Sequence, residues 1–168
     1  MSPRKEVLAF FQMLWPISVE GGLIRIGPDG DGGYLIPSRV EGFDAIFSPG
    51  IAHNWEFEKN YLHHNPGTRV YMADGSIEKD SLGMLPSAAE FIKKFVGLEN
   101  DSETVSFESW VYDRYAGNNA SLSMDIEGQE YEILGPLPDA VLGHFKCIVL
   151  EIHGLQVVGS REGLAFVS

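Results

Sequence analysis

Four short apolar runs, each closing on small or acidic residues, constrain this chain more than any other feature. They are FDAIFSPG (43–50), TRVYMADG (68–75), SLSMDIEG (121–128) and KCIVLEIHG (146–154). Each is the length of a buried strand, and helical patterns such as NWEFEKNYLHH (54–64) and EGQEYEILGPL (127–137) lie between or after them. Strand, loop, helix and strand in succession predict an α/β fold with a parallel sheet. In such sheets ligands sit beyond the carboxyl ends of the strands. The polar residues cluster where that rule needs them: Ser48, Gly50, His53 and Asn54 after the first strand, and Asp74 after the second. Asp125 and Glu127 follow the third of these runs, and Glu151 and His153 the last.

The remaining segments complete the expectation. SPRKEVLAFFQMLW (2–15) reads as a helix packed on the domain, with Ser2 as cap, Pro3 at its first position and Pro16 as its stop. LIRIGPDGDGGYLIP (23–37) reads as a β-hairpin. The first strand is expected over 43–47, and Asn54 is the expected N-cap of the helix that follows. PSAAEFIKKFVG (86–97) favours helix in its first half and a third strand from Phe91 onward. SFESWVYDRY (106–115) reads as a short helix. The whole is expected to be one domain over 1–168, with the helix and hairpin in 1–40 and the cofactor-binding core in 41–168.

Composition narrows the function classes. Twenty-four acidic against 12 Lys and Arg residues leave a net charge of −12, which repels phosphate backbones and argues against a nucleic-acid partner. No basic block suits an anionic membrane surface, and no run reaches the ~18 apolar residues of a membrane span. The basic, then apolar N-terminus lacks a small-residue cleavage site, so the expected location is cytoplasmic. The single Cys147 sits in an apolar run and reads as a buried thiol.

Each candidate residue has a plain structural alternative. Asp74 suits a ribose, because a carboxylate accepts from two vicinal hydroxyls, but it also suits a turn in DGS. Glu151 and His153 suit a satisfied core pair as well as a functional one. Asp29, Asp31, Gly32 and Tyr34 suit a tight turn alone. The loop SPGIAHN carries one glycine ahead of a helix N-terminus, a weak signal by itself.

MDIEGQEYEIL (124–134) followed by CIVLEIHGL (147–155) resembles the FkbM-type family of S-adenosylmethionine-dependent methyltransferases. The family's hallmark is a strand ending in Asp-x-Glu-Gly-x-Glu, then a helix, then a strand ending near a Glu and a His. RIGPDGDGGYLIP (25–37), FSPGIAHNWEFE (47–58) and VYMADGSIE (70–78) resemble one branch's hairpin, glycine loop and acid-ended second strand, in the same order. The likeness covers roughly Arg25 to Leu155. It implies a Rossmann-like class I methyltransferase sheet, with S-adenosyl-L-methionine across the rim. Ser48, Gly50 and Asn54 would lie near its methionine part, Asp74 would hold the ribose, and adenine would lie toward the loop before Ser106. Asp125 and Glu127 would face the sulfonium and the acceptor, with His153 as the third catalytic candidate and no metal. Glu130 would steady the turn of its own helix, and Glu132 would be solvated.

Two features depart from the family pattern. Pro49 stiffens the glycine loop. QVVGSREGLAFVS (156–168) offers at most one short strand, so the sheet is expected to be truncated after its fifth strand, with self-association through an exposed edge. Three functions are open: O-methylation of a small hydroxylated or sugar-like acceptor, a metal-dependent hydrolase or phosphotransferase built on the rim carboxylates, or a non-catalytic binding module.

Overall fold

The computed structural model describes residues 3–38 and 42–155. Helix α1 (Pro3–Met13) leads into an antiparallel hairpin of β1 (Leu23–Ile26) and β2 (Tyr34–Pro37). Then come β3 (Ala45–Pro49), α2 (Glu56–His64), β4 (Arg69–Ala73), β5 (Ala89–Ile92), β6 (Phe95–Gly97) and β7 (Thr104–Ser106). Helix α3 (Phe107–Tyr112), β8 (Ala120–Met124), α4 (Glu130–Leu134), α5 (Asp139–Leu142) and β9 (Phe145–Leu150) complete the described chain. Among the described residues no helix is long and apolar enough to cross a membrane.

Five strands form the central sheet in the order β5-β4-β3-β8-β9, and every neighbouring pair is parallel. This is a mixed α/β architecture compatible with a Rossmann-like fold. The chain builds outward from β3 to β5, then returns to the other side of β3 with β8. That reversal opens a crevice at the carboxyl ends of β3 and β8.

Alternation along the strands explains both faces. Ala45, Phe47, Ala120, Leu122 and Met124 pack toward Phe107, Trp110 and Val111 of α3 and toward Ile133 and Val141 of α4 and α5. Phe47 meets the Trp110 ring edge-on at 5.1 Å. Ile46, Val70 and Met72 face the other way, against Phe57 and Tyr61 of α2 and Ile26 and Ile36 of the hairpin. Runs of apolar residues are what a sheet covered on both faces requires.

Several expectations need correction. The segment before Phe91 is strand, because Ala89 pairs with Val70 and tertiary pairing outweighs the helical preference of its alanines. β3 runs on through Ser48 and Pro49, which continue the ladder to Met72 and Ala73. The cap position of α2 is Trp55, one residue after Asn54, although Asn54 Oδ1 still accepts from the Glu56 N–H at 3.1 Å. α1 does not bury its apolar stripe against the domain: Leu8, Met13, Leu14 and Trp15 are all exposed. β9 is paired on one side only among the described residues, and its Ile148 is exposed. The Ser2 cap and the expected short strand beyond residue 155 lie outside the described residues.

Candidate functional site

The rim is assembled by backbone bonds that continue the sheet past its strand ends. The Gly50 N–H donates to Ala73 at 2.9 Å, Asp125 to Pro49 at 3.2 Å, Glu151 to Met124 at 3.0 Å and Asp74 to Ile92 at 3.2 Å. Gly50 and three acids, Asp74, Asp125 and Glu151, from four chain regions, are thereby fixed side by side. Gly50 has φ +77°, and a Cβ there would stand 1.6 Å from the Asp125 carbonyl oxygen. Its glycine serves close packing of β3 on β8. Two non-glycine residues also take left-handed backbone, Ala52 (φ 45°) and Glu127 (φ 57°). Both lie at this rim, and such strain persists only where the surroundings hold it.

Asp74 holds the first of them. Its Oδ2 accepts from the Ala52 N–H at 2.8 Å, and its Oδ1 accepts from the N–H and hydroxyl of Ser76 at 2.7 and 2.5 Å. Three of the roughly four acceptor positions of a carboxylate are then used. Glu130 holds the second turn. Its Oε1 accepts from the Ile126 N–H at 3.1 Å, the Gly128 N–H at 3.3 Å and His153 Nδ1 at 3.0 Å.

A cleft of about 540 Å³ opens at this rim. Asp74, Asp125 and Glu127 line it from the sheet side, and Phe95, Val96 and Thr104 from β6 and β7. Its volume is in the range that holds a nucleoside-sized ligand. A second cavity of about 60 Å³ lies on the hairpin side, bounded by Tyr34, Ser48, Glu58, Ser123 and Asp125. Asp125 is a wall of both.

Electrostatics follow from burial and crowding. Burial and the Glu151 charge push the Asp125 carboxyl up to about 6, against the opposing pull of His153. Burial pushes Glu58 up, and Ser48 lies beside it without reaching good hydrogen-bond geometry. Burial, then the Asp125 and Glu151 charges, raise Tyr34. Burial works to raise Glu130, but hydrogen bonds from its own backbone, Ile126, His153 and Gly128 leave it below the ordinary value. The Glu130 hydrogen bond raises His153. Burial also raises the half-buried Cys147 thiol, which keeps it protonated and unreactive.

The structure brings together Gly50, Asp74, Asp125 and Glu127 at the large cleft, with His153 behind Asp125 and Glu127 at 3.7 Å from each. It does not bring in Ser106. That hydroxyl is buried and caps α3, accepting from the Ser109 N–H at 3.1 Å. Asn54 is committed elsewhere too: its Nδ2 donates to the Asp31 carbonyl at 3.1 Å and ties the hairpin turn to α2. Asn54 and Ser48 border the small cavity and not the large cleft. Sequence reasoning missed Glu58, which stands three residues from both Trp55 and Tyr61 and so shares their buried helical face. It also missed that Tyr34 is a wall of the site and not only part of a turn. Local sequence makes Glu130 a helix stabiliser only; its reach to His153 depends on β8 and β9 being neighbours.

Compared with known proteins, the chain matches no family model, no curated protein and no solved structure.

Proposed function

We propose that the chain is an S-adenosylmethionine-dependent methyltransferase acting on a hydroxyl of a small, sugar-like acceptor. The observation that carries the reading is the cleft of about 540 Å³ beyond the carboxyl ends of a parallel sheet, at the point where strand order reverses, lined by Asp74, Asp125 and Glu127. The donor set fits the cofactor: Asp74 retains an acceptor position for a ribose hydroxyl, and the acidic rim suits a sulfonium cation. When bound, the cofactor supplies an electrophilic methyl group on positively charged sulfur. Phe95 and Val96 offer an apolar wall to a flat base. Asp125, shared between cleft and small cavity, is placed to receive the proton that an attacking hydroxyl sheds. Tyr34, Ser48 and Ser123 offer hydroxyls to a polar acceptor on the other side.

Calorimetric titration with S-adenosylhomocysteine in the presence of a chelator tests this. The expected result is one site with a Kd in the range common for substrates, about 1 μM to 1 mM. A heat signal indistinguishable from dilution removes the methyl-transfer reading.

A further inference from the structure

We propose that the small cavity behind Asp125 is a specificity pocket for the acceptor, taking an uncharged, hydroxyl-bearing end of it, with Ser48 and Glu58 as the recognising pair. The cavity lies between the hairpin, α2 and the ends of β3 and β8. At about 60 Å³ it has room for a few waters or for one hydroxymethyl-sized group. Gly50, Ala52 and Asp125 border both this cavity and the large cleft, so a ligand end held here lies beside Asp125. The inference rests on the methyl-transfer reading for what the pocket serves, and on the pocket's own chemistry for what it binds.

Two buried polar side chains line the cavity. Along β3, Ile46 packs toward α2 and the hairpin, and Phe47 packs toward α3. Strand alternation therefore aims Ser48 the same way as Ile46, into the cavity that Phe57 and Glu58 of α2 also wall. Ser48 is 1% exposed, and its Oγ has no hydrogen-bond partner among the described residues. A hydroxyl so buried is costly until a polar group meets it. Ser48 lies beside Glu58, so one ligand group can touch both. Glu58 is 3% exposed and pairs with no lysine, arginine or histidine among the described residues. Burial holds its proton to higher pH than an exposed carboxyl keeps it. A protonated carboxyl offers a donor and an acceptor side by side, which matches a hydroxyl. Asp31 and Asp125 border the cavity and no lysine or arginine does, so an anionic group is repelled. An aliphatic end would leave Ser48 and Glu58 unsatisfied.

The test follows amide NMR shifts of the isotope-labelled full chain titrated with glycerol, with acetate and methylammonium as charged comparators. The expected result is saturable shifts with glycerol, centred on Ser48, Glu58 and Ser123, and none with either ion. Ser48→Ala removes only an unpartnered hydroxyl, and it should weaken glycerol binding about fivefold, the worth of one hydrogen bond. Glu58→Gln, the isostere of the protonated acid, should keep binding, and Glu58→Met should lose it. Glu132→Gln, at an exposed position on α4, should leave it unchanged. If Glu58→Met fails to fold, Ser48→Ala and Glu58→Gln still decide the matter. Shifts that never saturate, or that are the same in Ser48→Ala, mean that the cavity holds water only and overturn the pocket. Saturable binding of methylammonium that is lost in Glu58→Gln assigns the cavity to a cation and overturns the hydroxyl class. The glycerol titration is run with and without S-adenosylhomocysteine, whose own shifts are recorded first, so the pocket and the methyl-transfer reading fail separately.

Discussion

At the scale of single residues, the acids at this rim differ sharply in what they do. Asp74 spends most of its acceptor capacity on the Ala52 N–H and on Ser76, so it organises the loop as well as facing the cleft. Asp74→Ala should therefore lower stability by about 1.5–3 kcal/mol, the usual worth of a hydrogen bond to a charged group, and also weaken S-adenosylhomocysteine binding. Urea unfolding and calorimetry read the two effects separately. An unchanged affinity in the folded variant takes Asp74 out of the cofactor site. Glu58 has a different character. It is buried without a cationic partner among the described residues, and its pKa is raised by that burial. The folded chain therefore holds this proton to higher pH than the unfolded chain does. Its contribution is thus fully present below the unfolded pKa and is lost as pH rises toward the folded one. Glu58→Gln removes this dependence. The variant should gain stability relative to the parent as pH rises above the ordinary carboxylate range, measured by urea midpoints at each pH. A parent and variant that track each other across that range would show Glu58 to be ionised in the fold.

At the scale of elements, caps and turns decide which polar groups are free for ligands. Ser106 illustrates a hydroxyl already employed: it closes the first turn of α3 through the Ser109 N–H and meets the Ser109 hydroxyl at 2.8 Å. Ser106→Ala should cost about 1 kcal/mol, as for other lost N-caps. The same variant should bind S-adenosylhomocysteine with unchanged affinity, because Thr104 and not Ser106 lines the cleft. A thermal melt paired with one titration checks both halves; a loss of affinity at full stability would restore Ser106 to the site. The hairpin of β1 and β2 is likewise more than a leading ribbon. Arg25 donates to the carbonyls of Pro28 and Gly30 at 2.7 and 2.8 Å and stiffens its turn, and Asn54 holds that turn against α2. Tyr34 is thereby set edge-on against Phe57 at 5.4 Å, walling the small cavity.

At the scale of the whole molecule, charge and topology act together. The net charge of −12 is partly concentrated where Asp31, Asp125, Glu127, Glu130 and Glu151 meet. Self-repulsion of this kind is screened by salt. The melting temperature should rise between about 20 mM and about 500 mM NaCl, read by circular dichroism in chelator. A flat or falling profile would mean that favourable pairs, such as Arg114 with Glu90 at 2.8 Å, outweigh the repulsion. The parallel order β5-β4-β3-β8-β9 places the repulsion at one end of the sheet, where four chain regions converge.

Much of this architecture was legible in the residues. Apolar runs of strand length, the Gly-rich turn before Tyr34 and the helical pattern after Asn54 are local signals, because burial on both faces of a strand or one face of a helix writes its period directly into the chain. Asp125 and Glu127 at a strand end were legible for the same reason. What no local pattern carries is which strand lies beside which. Ala89 became strand only because Val70 was there to pair with it. Ser106 was removed from the cleft by its own helix, and Asn54 by a turn 23 residues away. The contact between Glu130 and His153 spans the same separation and exists because β9 docks beside β8. Whether a carboxylate is solvated, saturated by backbone donors or buried with an oxygen to spare depends on neighbours that only the folded chain supplies.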